Sequence, residues 1–120
     1  MAWEIEVTDE FGDWWAGLSE EARIAVTRGV TLLEEKGPAL GRPYVDTLAK
    51  HSRHPNMKEL RITYRGDAYR VLFAFDPRQV GILLLGGRKP DQKWYKKAVP
   101  AADKIYDDYL EELRNEGLIW

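Results

Sequence analysis

Trp3, Ile5 and Val7 alternate with Glu4 and Glu6 at the start of the chain, the two-residue period of a strand with one buried face. Asp9 to Ala16 reads as a short helix carrying Phe11, Trp14 and Trp15. Ser19 then offers a capping side chain for a second helix, with Glu20 and Glu21 placed against the positive end of its dipole. Leu18, Ala22, Ala25, Val26, Gly29 and Leu33 recur at spacings of three and four, and Gly37-Pro38 is the expected stop. Residues 38 to 56 have no sustained period and contain Pro38, Pro43 and Pro55. That stretch predicts a connecting loop with one helical turn.

A β region follows. Leu60, Ile62 and Tyr64 point one way and Arg61, Thr63 and Arg65 the other, while Gly66-Asp67 suits a two-residue hairpin turn. With that turn Arg65 faces Ala68, Tyr64 faces Tyr69, Thr63 faces Arg70, Ile62 faces Val71 and Arg61 faces Leu72. Leu60, Ile62, Tyr64, Tyr69, Val71, Phe73 and Phe75 then form a core face, leaving Arg61, Thr63, Arg65 and Arg70 on an open one. Asp76-Pro77-Arg78-Gln79 is turn chemistry. The apolar run Val80 to Leu85 predicts a central strand covered on both sides, broken by Gly86-Gly87. Pro100 suits the first turn of a last helix in which Ala102, Ile105, Tyr109 and Leu113 keep the helical period as far as Gly117. The expected fold is α+β: a small antiparallel sheet of about four strands, two N-terminal helices and a C-terminal helix, in one domain over residues 1–120.

Composition narrows the class. With 44% hydrophobic and 32% charged residues in 120, the chain has the make-up of a globular domain able to bury roughly two thirds of its unfolded surface. It has no cysteine, so disulfides, thiolate zinc sites and cysteine nucleophiles are excluded, in keeping with a reducing compartment. No stretch approaches the ~20 apolar residues that span a bilayer, and the first residues lack a basic, apolar leader. A cytoplasmic location away from membranes is expected. The net charge of −2 conceals a reversal along the chain. Residues 1–57 and 98–120 each carry −4, whereas residues 58–97 hold 10 Lys/Arg against 4 Asp/Glu, a net of +6. Local potential decides which anion docks, so the basic middle is the candidate surface for a polyanion.

The element order, with basic residues on the later strands, resembles the RelE superfamily. Four stretches sharpen the resemblance: Lys58-Glu59-Leu60-Arg61-Ile62, Tyr69-Arg70-Val71-Leu72-Phe73, Leu84-Leu85-Gly86-Gly87-Arg88-Lys89 and Trp94-Tyr95. Together they are similar to its phage-derived, HigB-like branch over nearly the whole chain. The resemblance implies a curved antiparallel sheet flanked by helices. It also implies a type II toxin: a metal-independent, cofactor-free endoribonuclease that cuts messenger RNA in the ribosomal decoding site. A tight antitoxin, often a HigA-like helix-turn-helix protein, would neutralise it. One departure stands out. Where some members carry two lysines before the Leu-Arg, this chain has Lys58-Glu59, and an acid there works against phosphate attraction.

Cleavage without metal runs by attack of the 2′-hydroxyl on the adjacent phosphate, which requires a proton acceptor, a proton donor and cations for the developing charge. Arg61 and Arg70 are the expected phosphate clamps, because guanidinium groups bind phosphate oxygens in bidentate fashion and stay charged. Arg88 and Lys89, at the exit of a buried strand, are candidates to stabilise the pentavalent phosphorane. Tyr95 is a candidate for base stacking or proton transfer, with Lys58, Arg65, Lys93 and Lys96 as RNA-binding cations. The plain alternatives are a solvated sheet face for the arginines, a polar strand exit for Arg88 and Lys89, and a core plug for Tyr95 and, more so, Trp94. His51 and His54, in the loop before the hairpin, read more readily as bystanders than as acid and base. Asp91 matches an acidic position of the family and equally an N-cap. Asp103, Asp107, Asp108, Glu111 and Glu112 read as the wet side of the last helix, and Leu118-Ile119-Trp120 either packs down or meets a partner. Two functions compete with the toxin: a non-catalytic module binding nucleic acid or protein on the same basic face, and an inactive relative retaining only antitoxin affinity.

Overall fold

The computed structural model describes residues 2–120. Its elements run β1 (Ile5–Val7), α1 (Asp9–Ala16), α2 (Glu20–Lys36), a 3-10 turn (Gly37–Ala39), β2 (Val45–Thr47), β3 (Lys58–Tyr64), β4 (Asp67–Phe75), β5 (Gly81–Arg88) and α3 (Gln92–Asn115). The sheet has five strands in the order β1-β5-β4-β3-β2. The α+β class and the three helices are as expected, and the sheet gains a strand because β2 lies in the stretch read as loop. Three residues show no periodicity, and β2 exists because Val45 pairs with Leu60 and Thr47 with Lys58 across the edge of β3. β1 pairs in parallel with β5 while the other pairings are antiparallel, so β4, not β5, is the central strand.

Both helices of the N-terminal pair begin on side-chain caps. Thr8 Oγ1 accepts from the Phe11 N–H and Ser19 Oγ from the Ala22 N–H, each satisfying a backbone donor that the first helical turn leaves free. These helices cover one sheet face, where Val26, Leu33, Leu60, Val71, Phe73 and Leu83 are almost wholly buried. α3 covers the other, enclosing Met57, Leu72, Ala74, Ile82, Leu84, Val99 and Ala102. The face expected to be open is therefore mostly interior, and only its β2–β3 end escapes the helix.

The hairpin turn is Arg65-Gly66, with φ of +50° and +79°, the two positive values of a type I′ turn whose twist matches the strands it joins. Tyr64 consequently pairs with Asp67 and Arg61 with Arg70. This register differs by two residues from that set by a Gly66-Asp67 turn. A two-residue slip keeps every side chain on its face, so the core face is as anticipated, but it brings two arginines directly opposite each other and moves Arg65 into the turn.

Two elements run longer than expected. β5 continues through Gly86 and Gly87 to Arg88 because the glycines make room instead of breaking the strand: a Cβ on Gly86 would collide with the Trp14 ring, and one on Gly87 with Trp94. α3 starts at Gln92, with Asp91 as its N-cap accepting from the Trp94 N–H at 2.8 Å, and Pro100 sits inside it. Tyr95, Lys93 and Lys96 therefore belong to the opening turns of a helix. The acidic run on α3 is only partly wet. Asp103 is buried and accepts from the Ser52 hydroxyl and the Arg53 N–H, and Asp107 takes His54 Nε2 at 2.7 Å as well as Arg53. These contacts tie the loop before β3 onto α3.

Candidate active site

Where α3 leaves the sheet, a cleft of about 600 Å³ opens between its first turns and the β2–β3 edge, lined by residues that include Asp46, His51, Glu59, Arg61, Gln92, Tyr95 and Lys96. The geometry follows from alternation: Glu59 and Arg61 are two apart on β3, hence on one face, and the β4 register adds Arg70 to that face. Like charges directly across a strand pair repel. The repulsion between Arg61 and Arg70 is met by Glu59, whose side chain is only 6% exposed. One of its oxygens, Oε1, accepts the Tyr95 hydroxyl at 2.6 Å and lies 3.2 Å from Arg70 Nε, while Oε2 is 3.8 Å from Arg61. The Arg70 contact is an ion pair without hydrogen-bond alignment, so its Nε–H is left unpaired, as is that of Arg61. Arg70 also donates from Nη1 to the Tyr69 carbonyl at 3.0 Å. Arg61 reaches outward to Asp46 on β2 at 3.2 Å, and Arg42 shares that carboxylate at 3.0 Å.

The two arginines are thus unlike. Arg61 is 38% exposed and stands at the cleft mouth; Arg70, at 19%, lies behind it against Glu59. Arg70, expected on an open sheet face, is instead half-buried against Glu59. Glu59 is equally recast: it screens one arginine from the other. Burial, followed by the hydrogen bond to Glu59 and that carboxylate's charge, pushes the Tyr95 hydroxyl up to about 12 against the opposing pull of Arg70. A phenol so held remains protonated at neutral pH with its one O–H committed to Glu59; it can stack its ring on a base or accept a hydrogen bond on its oxygen, but does not serve as an ionised base. The pH consequence is measurable. Below the ordinary tyrosine value near 10 Tyr95 is neutral in both folded and unfolded chains. Between there and about 12 the unfolded chain ionises first, so stability should fall across that alkaline window. Tyr95→Phe should flatten the decline in chemical denaturation curves taken at successive pH values.

The remaining candidates are dispersed. Lys96 lines the cleft and Lys93 is exposed one turn earlier on α3. Lys58 pairs with Phe73 and so stands on the opposite sheet face from Arg61. Arg65 lies over the Tyr64 ring at 5.5 Å, at the hairpin tip. Arg88 shares its face with Tyr69, away from the cleft, and pairs with Asp67 together with Lys89, which is 3.4 Å from it. His54 is committed to Asp107 and to an edge-on contact with Tyr106. His51 is exposed and lines the cleft, making it the imidazole placed to meet a ligand there. Sequence reasoning did not place His51 or Asp46 at the cleft and did not see that Glu59 faces Tyr95 and Arg70. The one available signal was an acid at the two-residue spacing beside Arg61.

The fold is that of the RelE-type toxins. The free-state structure of an arginine-substituted mutant of E. coli toxin RelE matches with a TM-score of 0.55 at 19% identity, over 83% of this chain and 97% of that one. Residues 13–107 match the family described as phage derived protein Gp49-like, and the chain belongs to that family, within the HigB-like branch of the RelE/HigB toxins. Two proposed toxins of Mycobacterium tuberculosis are similar: HigB2, 39% identical over 96% of this chain and 58% of its own length, and HigB3, 44% identical over 87% and 90%. This chain therefore spans little more than half of HigB2 and most of HigB3.

Proposed function

We propose that the chain is the toxin of a type II toxin-antitoxin pair and acts as a metal-independent endoribonuclease on messenger RNA held by the ribosome. The observation that carries this reading is the cleft, where Arg61 offers a guanidinium to a phosphate oxygen, with Tyr95, Lys96 and His51 around the same space. In the reaction the 2′-oxygen bonds to phosphorus, the bond to the 5′-oxygen breaks, and charge develops on the nonbridging oxygens. Arg61 and Lys96 supply cations for that charge, and Tyr95, its hydroxyl held by Glu59, a ring on which a neighbouring base can stack. His51, the exposed imidazole lining the cleft, is the group proposed to take the 2′-hydroxyl proton and to deliver one to the departing 5′-oxygen. Arg88, Lys89, Arg65, Lys58 and Lys93, all away from the cleft lining, serve flanking nucleotides rather than the scissile phosphate.

The partner that follows is a cognate antitoxin, expected to be HigA-like with a helix-turn-helix domain, whose acidic groups would complement the +6 segment. The site of action is expected to be the cytoplasm; among the described residues no helix is long and apolar enough to cross a membrane. The test is induction in a bacterial host with transcript ends mapped by primer extension, beside purified protein on naked RNA. Cuts in translated messages and poor turnover on naked RNA are expected. Growth arrest with intact messages would instead favour a binding module, and brisk cleavage of protein-free transcripts would remove the ribosome from the reading.

A further inference from the structure

Glu59 is the most deeply buried acid at the cleft, and its place there needs an explanation beyond packing. A lone carboxylate in the interior is costly unless paired, and a plain apolar residue would fill β3 equally well. Glu59 instead faces three functional groups from three elements: the Tyr95 hydroxyl from α3, the Arg70 Nε edge from β4 and Arg61 from its own strand. Tyr95 and Arg70 converge on the same oxygen. Asp46, His51 and Lys96 complete the charged and titratable surroundings of the cleft.

We propose that Glu59 is a positioning residue, a buried anion that locks the Tyr95 hydroxyl and the Arg70 guanidinium to each other so that they act as one preorganised unit. The proposal rests on the endoribonuclease reading for its catalytic consequence, but not for its geometry. Held by Glu59, the Tyr95 hydroxyl keeps its orientation and its proton, and Arg70 stays against the sheet. Because the anion offsets one of two facing cations, the sheet tolerates Arg61 directly opposite Arg70. The acid that seemed to oppose phosphate binding is then the condition for having two arginines there at all.

The test is Glu59→Gln, which keeps shape and hydrogen-bonding capacity but removes charge. In protein carrying tyrosine labelled with ¹³C at Cζ, with the Tyr95 signal assigned through Tyr95→Phe, the titration should fall below about 12 while burial, the larger cause, keeps it above the ordinary value near 10. Turnover per folded molecule should drop on the order of 100-fold, the scale of small misplacements in a site, while RNA affinity changes only a few-fold. Glu59→Gln combined with Tyr95→Phe should lose less than the product of the two single losses. An unshifted Tyr95 titration overturns the proposal, as does fully multiplicative loss. Should the glutamine variant fail to fold, Glu59→Asp keeps the charge but withdraws it by one methylene, and the Tyr95 titration must still fall below wild type. If the wild-type chain cleaves no RNA, the endoribonuclease reading falls, and the titration alone still decides what Glu59 does.

Discussion

Replacing Arg61 by alanine should lower ribosome-dependent cleavage by about 100- to 1,000-fold, the usual cost of deleting one preorganised stabiliser of developing charge, and leave the fold nearly unchanged. The side chain is 38% exposed at the cleft mouth, and its outward partner Asp46 keeps Arg42 at 3.0 Å. Exposed ion pairs contribute about 0–1 kcal/mol, so the stability loss should be within about 1 kcal/mol. Growth on induction, mapped cleavage and thermal unfolding of the variant and wild type separate the two quantities. Retained toxicity would show that the scissile phosphate lies elsewhere, with Arg88 and Lys89 at the hairpin end as the next surface to vary.

Arg70→Ala should fail on both counts. It removes a partner from Glu59, whose side chain is 6% exposed, leaving that carboxylate with the Tyr95 hydroxyl and Arg61 at 3.8 Å. Stripping one member from a buried pair costs about 3–5 kcal/mol, and the surviving contacts put the expected loss near the lower figure, on the order of a 10 °C fall in Tm for a domain of this size. Loss of activity in this variant thus reports unfolding and chemistry together. The double change Glu59→Gln with Arg70→Gln, which removes both charges at once, should recover much of the stability without recovering cleavage. A single Arg70→Ala variant that unfolds with wild-type Tm would show that Glu59 does not depend on Arg70.

Much of this molecule is legible in its residues because the signals are local. Alternation marks β1, β3 and β4, spacings of three and four mark α2, and the cap at Ser19 marks the start of α2. Parity alone puts Leu60, Ile62, Tyr69, Val71 and Phe73 in one core, and puts Arg61 and Arg70 together on the other face whichever two-residue turn is used. Misjudged elements share a cause. Gly86-Gly87 reads as a break only while the rings of Trp14 and Trp94 are out of view, and Pro100 reads as a helix start because proline favours a first helical turn, although Trp94, Tyr95, Ala98 and Val99 already keep the helical spacing before it.

What the amino-acid sequence determined by itself is therefore the three helices, the strands other than β2, the alternation of faces along β3 and β4 and the basic character of residues 58–97. Each of these depends on neighbours within a few positions. The tertiary structure decided the rest: the hairpin register, the edge strand β2, and the placement of α3 over the supposedly open sheet face. Those choices follow from contacts between residues far apart in the chain, such as Tyr95 with Glu59 or Arg61 with Asp46, and a local pattern carries no record of them. They are also what turns a row of arginines into a cleft with one guanidinium facing outward, a second more deeply set one, and a carboxylate between them.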